Sequence, residues 1–323
     1  MTSASAAAGV LGRASEGEGE GEEASTSGAD HARLLDPSEL PPADATLHSR
    51  LFWGFGRWLH TDYLQQRNQG LDALQGLGPR PACLVASNHS SHLDCSAIFV
   101  ACWAAGVDRV YALGARDYFF TGSPFRRWFV QTFMNVVPIS RRGIKDREVE
   151  ALKHLLRGRG DGRRVAVVIF PEGTRSATGR LQPFKSGVGL LAAKLGVPVV
   201  PACVHGTRQS LPKSKVVPVP SQVVVRFGEP LAPPELAGEE GAAKKARLRA
   251  FRDELRGRVA GLQEGIEADH RPQPGEPLAA LLGGHLAQRT VLALLLALLT
   301  VTWHYFAKAW TRAAASVRKR VVA

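Results

Sequence analysis

The chain reads as an α/β protein: a mostly parallel twisted sheet with helices on both faces, led by a disordered N-terminal tail and closed by an apolar C-terminal helix. Short apolar runs alternate with segments whose apolar residues recur at three- and four-residue steps. The runs are continuous, as in Val165-Ala166-Val167-Val168-Ile169, a pattern expected of strands covered on both faces. Hydrophobic residues make up 45% of the 323, enough to fill a large core.

Residues 1–45 are rich in Gly, Ala, Ser and Glu and can bury too little apolar surface to offset their chain entropy, so a disordered acidic tail is expected. A single domain is expected over 46–268. It opens with a helix from Leu47 to Leu64, where Leu51, Phe52, Phe55, Trp58 and Leu59 share helical spacing. Strands are expected at Ala82–Ser87, Arg109–Gly114, Arg164–Phe170, Val197–Val204 and Val223–Phe227. Between them, helices are expected at Ala97–Ala105, Phe125–Phe133, Lys145–Leu156 and Gly187–Leu195. A last helix, Ala242–Ile266, places Leu248, Phe251, Leu255, Val259 and Leu262 on one face. Residues 269–323 start as a Pro-rich linker and contain the most apolar stretch of the chain, Thr290–Ala307.

Charge is divided unevenly. The first 45 residues hold nine acidic and two basic side chains, a local −7, which leaves +19 on the remainder against +12 for the whole chain. A body that basic suits an anionic partner: nucleic acid, anionic lipid or a phosphorylated small molecule. No zinc finger, helix-turn-helix or RNP signature is present, which argues against nucleic acid. Cys83, Cys95, Cys102 and Cys203 form no C-x-x-C pair and sit in apolar runs, so they read as buried reduced thiols, with no metal implied.

Two polar motifs follow strands. Asn88-His89-Ser90-Ser91-His92-Leu93-Asp94 comes directly after Ala82–Ser87. A five-residue step puts His89 and Asp94 about 140° apart on a regular helix. They can meet only if His89 lies in the loop and Asp94 begins the next helix. A carboxylate so placed would hold the imidazole in one tautomer and support the charge it gains as a general base. His92 is a rival for that role, and loop or capping duty is the plainer reading of either residue. Phe170-Pro171-Glu172-Gly173-Thr174-Arg175-Ser176 emerges from the most hydrophobic strand. Gly173 permits a tight turn, and Arg175 offers a donor fork suited to phosphate, or is an ordinary surface arginine.

Together, N-H-x-x-H-L-D and F-P-E-G-T-R-S about eighty residues later resemble the glycerolipid acyltransferase family. Val136-Val137-Pro138-Ile139-Ser140-Arg141 resembles the block between them, with Asn135 where the family usually has glycine and Pro138 where it has phenylalanine. Val197-Pro198-Val199-Val200-Pro201 resembles the final proline-bearing block. The resemblance covers roughly 47–230. It implies His89 as base with Asp94 as its partner, and Arg141, Glu172, Gly173, Thr174 and Arg175 at the acceptor site. It also implies an acyl thioester donor (acyl-CoA or acyl carrier protein), a 1-acylglycerol-3-phosphate acceptor and no cofactor. Another lysophospholipid or lipid hydroxyl is the alternative acceptor. An acyl-serine route through Ser90 or Ser91 stays formally open. Lys185 is a further possible phosphate contact, or a solvated surface group. Backbone N–H groups near Asn88 or Gly173 are candidates to stabilise the oxyanion.

Such substrates imply membrane lipid as a partner. The aromatic Leu47–Leu64 helix suits either interfacial contact or core packing. No cationic segment followed by an apolar run opens the chain, so a domain facing the cytosol is expected. Thr290–Ala307 carries no formal charge and would be about 27 Å long as a helix, borderline for a span. Lys308, Arg312, Arg318, Lys319 and Arg320 follow it, against Arg289 before it. Positive-inside logic would then turn a single span the wrong way for a cytosolic domain. A single span, a re-entrant anchor and a packing helix remain the three readings.

Overall fold

The computed structural model describes residues 47–78, 82–119, 130, 134–140, 143–157, 162–212, 218–219 and 221–269. The expected tail, the Thr290–Ala307 segment, nearly all of the Phe125–Phe133 helix and Arg141 lie outside the described residues. Among the described residues no helix is long and apolar enough to cross a membrane.

Seven strands form one sheet: β1 (Arg67–Gln69), β2 (Ala82–Ser87), β3 (Arg109–Ala115), β4 (Val136–Ile139), β5 (Val165–Ile169), β6 (Val199–His205) and β7 (Val224–Phe227). Their order is β1-β7-β6-β2-β5-β3-β4. Neighbours are parallel except β6 and β7, so β1 and β7 run against the other five. The helices are α1 (Leu47–Trp58), α2 (Asp72–Gln75), α3 (Leu93–Ala104), α4 (Arg116–Phe119), α5 (Asp146–Arg157), α6 (Gly187–Leu195), α7 (Thr207–Ser210) and α8 (Gly241–Asp269).

All five expected strands and the long helices appear within a few residues of their expected ends. Three differences have physical reasons. The α3 helix starts four residues earlier than expected, because its first turn is built from the polar motif rather than from apolar spacing. The first helix ends at Trp58 and runs on as one π turn, Leu59–Tyr63. The β1 strand, Arg-Asn-Gln, has no apolar residue to betray it and exists by pairing with β7 at the sheet edge.

Side chains along each strand alternate between two cores. Cys83, Val85, Ala166 and Val168 face a layer containing Ile98, Phe99 and Cys102. Leu84, Ala86, Val165, Val167 and Ile169 face Leu152, Val188, Leu191, Leu255 and Val259. The Trp53 ring stacks on Phe99 at 5.0 Å and meets Trp103 edge-on at 4.9 Å, so α1 packs against α3 while Phe55 stays exposed.

The departures from the family block at 135–139 fit the backbone. Asn135 has φ +47°, the left-handed region a glycine would favour and that asparagine tolerates best among other residues. Pro138 lies in β4, an edge strand that can do without one N–H. All four cysteines are free; burial pushes Cys83, Cys95 and Cys203 up to about 12 and Cys102 well above its usual value.

His60, on the π turn, is fully enclosed. Its Nε2 lies 2.8 Å from Ser96 Oγ, whose own proton goes to the Leu93 carbonyl. Nε2 therefore carries the hydrogen, and Nδ1 makes no hydrogen bond of good geometry among the described residues, the Gln66 side chain offering the ring only a looser contact. Burial lowers its pKa from 6.5 to about 4. A base depressed in this way contributes stability that is full above pH 6.5 and is lost as pH falls toward about 4. The loss is about 3 kcal/mol at about 1.4 kcal/mol per pH unit. Urea unfolding at about pH 7 and about pH 4.5 should show most of that fall, and His60→Gln should remove most of it. An undiminished fall in the variant would place the acid sensitivity elsewhere.

Candidate active site

The sheet order brings the two polar motifs together. β2 and β5 are adjacent and parallel, with Ala86 opposite Ile169, so both motifs leave the same edge side by side. β6 flanks β2 on its other side, with Ser87 opposite Ala202, and ends at the same edge.

Asn88 anchors the first loop to β6. Its Nδ2 donates to the Val204 carbonyl at 2.9 Å, and its Oδ1 accepts from the Val204 N–H at 2.8 Å. His89 follows in the loop, and Asp94 is the second residue of α3, the arrangement the five-residue spacing demanded. His89 Nδ1 lies 2.9 Å from Asp94 Oδ2. The same oxygen accepts the backbone N–H groups of Ser90 at 2.6 Å and Ser91 at 2.8 Å. Asp94 is fully buried, whereas the His89 side chain is 20% exposed. The imidazole stacks on Phe170 at 4.0 Å between centroids, 18° from parallel. With one face covered and Nδ1 committed, Nε2 is the nitrogen left for chemistry.

The second loop is sewn to the first through the backbone of His89. The Glu172 carboxylate accepts the His89 N–H at 2.9 Å, and the Ser176 N–H donates to the His89 carbonyl at 2.7 Å. The resemblance places Glu172 at the acceptor site; in the fold it holds the peptide that carries the imidazole. Burial raises its pKa, opposed by the His89 N–H and by a more loosely placed Gln182 N–H. Its Oε2 makes no hydrogen bond of good geometry among the described residues.

Gly173 sits at φ +75°, and a Cβ there would strike the Lys185 side chain. Lys185 is thus drawn over the turn, its own N–H donating to the Pro171 carbonyl at 2.9 Å. The Gly173 N–H donates to Phe170 at 3.0 Å and is not available as an oxyanion donor. The N–H groups of His89, Ser90 and Ser91 are likewise spent. Thr174 is exposed, its carbonyl accepting from Gln182 Nε2.

Arg175 is half-buried, and its buried Nη1 has no hydrogen-bond partner among the described residues. It shares the site with both histidines. Burial lowers the His92 pKa, and the charges of Arg175 and His89 lower it further, against the pull of Asp94. His92 is not the partner of Asp94; that place belongs to His89. One residue of the site is not legible in either motif: Thr207, at the end of β6, donates to Asp94 Oδ1 at 2.5 Å. Among the described residues no group of three or more His, Cys, Asp or Glu could hold a metal.

Because the Glu172 pKa is raised, its charge costs stability above the usual carboxylate range and that cost vanishes below it. Glu172→Gln keeps an oxygen for the His89 N–H and removes the charge. Its melting temperature should exceed that of the wild type at neutral pH and converge with it in acid. Glu172→Ala, which loses the brace, should melt lower at both. A wild type more stable than the glutamine variant at neutral pH would contradict the cost.

A family model described as Acyltransferase matches residues 65–205. The chain is 34% identical over 160 residues to a chloroplastic 1-acyl-sn-glycerol-3-phosphate acyltransferase of Brassica napus, covering 48% of this chain and 42% of that protein. With the corresponding chloroplastic enzyme of Arabidopsis thaliana it is 33% identical over 165 residues, 50% of this chain and 40% of that one. The match thus spans about two fifths of the length of these relatives. The crystal structure of the 1-acyl-sn-glycerophosphate acyltransferase PlsC from Thermotoga maritima aligns over 67% of this chain and 79% of that chain, at 24% identity and a TM-score of 0.46. Both polar motifs lie inside the matched residues, so it is residues 65–205 that are similar to an acyltransferase domain.

Proposed function

We propose that the protein is a 1-acylglycerol-3-phosphate O-acyltransferase: it moves a fatty acyl group from acyl-CoA or acyl carrier protein to the free hydroxyl of lysophosphatidic acid, giving phosphatidic acid. The observation that carries the reading is the pairing of a His89 ring held through Nδ1 by buried Asp94 with a half-buried, unpartnered Arg175 nitrogen in the adjoining loop. The relatives named above carry the same activity in their names.

In this mechanism His89 Nε2 takes the proton of the acceptor hydroxyl, and Asp94 stabilises the imidazolium. The oxygen attacks the thioester carbonyl carbon. The tetrahedral intermediate collapses with cleavage of the C–S bond, and the thiolate takes the proton back from Nε2. No acyl-enzyme is needed, and the buried thiols with pKa values pushed up to about 12 are poor nucleophiles. Among the described residues, the N–H groups of Thr174 and Arg175 donate to no protein acceptor and are the candidates for the oxyanion. Arg175 binds the acceptor phosphate, with Arg141 assigned to the same anion by resemblance. Glu172 acts by holding His89, and Gly173 by letting Lys185 lie across the turn. The basic body suits an anionic leaflet, where the lysolipid acceptor resides.

Labelled acyl-CoA presented with lysophosphatidic acid, lysophosphatidylcholine and monoacylglycerol tests the acceptor class; preference for an acceptor lacking the phosphate monoester would sink the assignment. His89→Ala should cut kcat by about 10²–10⁴ while acceptor binding holds. Arg175→Ala should raise the acceptor KM about tenfold or more with donor KM little changed, as expected for loss of a charge-assisted bond. A change confined to the donor KM would remove the phosphate role.

A further inference from the structure

We infer that Thr207 is a positioning residue for the proposed reaction, holding the Asp94 carboxylate in the one plane that serves His89; this rests on the acyl-transfer reading of the same site. The two oxygens of Asp94 are unequally supplied. Oδ2 accepts three donors: His89 Nδ1, Ser90 N–H and Ser91 N–H. Oδ1 accepts one, the Thr207 hydroxyl at 2.5 Å. Both Asp94 and Thr207 are fully buried, so no water substitutes for that hydroxyl at no cost. Rotation about the bond to the carboxyl carbon would exchange the oxygens, and on the far side only Thr207 resists it. Every partner of Asp94 is a donor, so the site is built for the anion that an imidazolium needs.

The segment bearing Thr207 is itself secured. Gly206, at φ +89°, lies so close to the Gln222 carbonyl that a Cβ would collide with it. Its own carbonyl accepts from Ser210 N–H and from Ser221 Oγ. The Leu211 N–H returns to the Thr207 carbonyl, and Ser91 Oγ donates to the Leu211 carbonyl. Thr207 thus brings the end of β6 into a site otherwise made from the ends of β2 and β5. It lies 113 residues from its partner. A buried threonine that merely filled space would not need its hydroxyl aimed at the one carboxylate oxygen that no backbone donor reaches.

The test uses the full chain and three variants. Thr207→Val keeps the shape and removes the hydroxyl; Thr207→Ala does so if valine fails to fold; Thr207→Ser retains it. Valine or alanine should lower kcat about tenfold or more, with both KM values within about twofold, as loss of a transition-state contribution requires. Serine should restore most of it. A second readout needs no turnover: in proton NMR the His89 Nδ1–H, held by a charged acceptor, should resonate far downfield in wild type and serine variants and be lost or moved upfield without the hydroxyl. Unchanged kcat together with an unchanged resonance would overturn the role of Thr207. Absence of wild-type acyl transfer would instead reject the proposed activity, while the resonance still decides whether Thr207 positions the pair.

Discussion

The two hydrogen bonds on the backbone of His89 hold the rest in place. In one the His89 N–H donates to the Glu172 carboxylate, and in the other the Ser176 N–H donates to the His89 carbonyl, both from the neighbouring strand's loop. They make two chain segments more than eighty residues apart behave as one piece. Without them the imidazole would hang from a free loop, and its bond to Asp94 would orient a ring whose own backbone could drift. With them, the ring is fixed at its backbone, at Nδ1 and on one face by Phe170.

Buried carboxylates recur as the means of shaping loops. Asp94 takes the N–H groups of Ser90 and Ser91, Glu172 takes that of His89, and Glu148 takes those of Ser140 and Lys145. All three side chains are buried. A loop at a sheet edge has amides that no ladder satisfies, and an anionic acceptor meets them with strong bonds. The device has a consequence for chemistry: the amides nearest the imidazole are consumed in building the loop. For the proposed acyl transfer, that leaves the Thr174 and Arg175 amides as the nearby uncommitted donors among the described residues.

The sheet order explains why these particular loops meet. β2 lies between β5 and β6, so strands from three parts of the chain end next to one another. Each delivers a polar residue at the same edge: His89, Glu172 and Thr207. The reversal of β7 and β1 finishes the sheet on the far side of β6.

The sequence by itself determined five of the seven strands and the long helices among the described residues, because continuous apolar runs and helical periodicity are local signals that burial enforces. It also made the His89–Asp94 pair a candidate, since the spacing let the two meet only across a loop and a helix start, but His92 stayed a rival until the fold gave Asp94 to His89. The three-residue edge strand was invisible, since its only reason to exist is a partner 157 residues away. The duties of Glu172 and Thr207 were decided only by the tertiary structure. Each depends on a hydrogen bond to a residue that follows another strand, 83 or 113 positions distant, and no local pattern records which strand ends a folded sheet will set side by side.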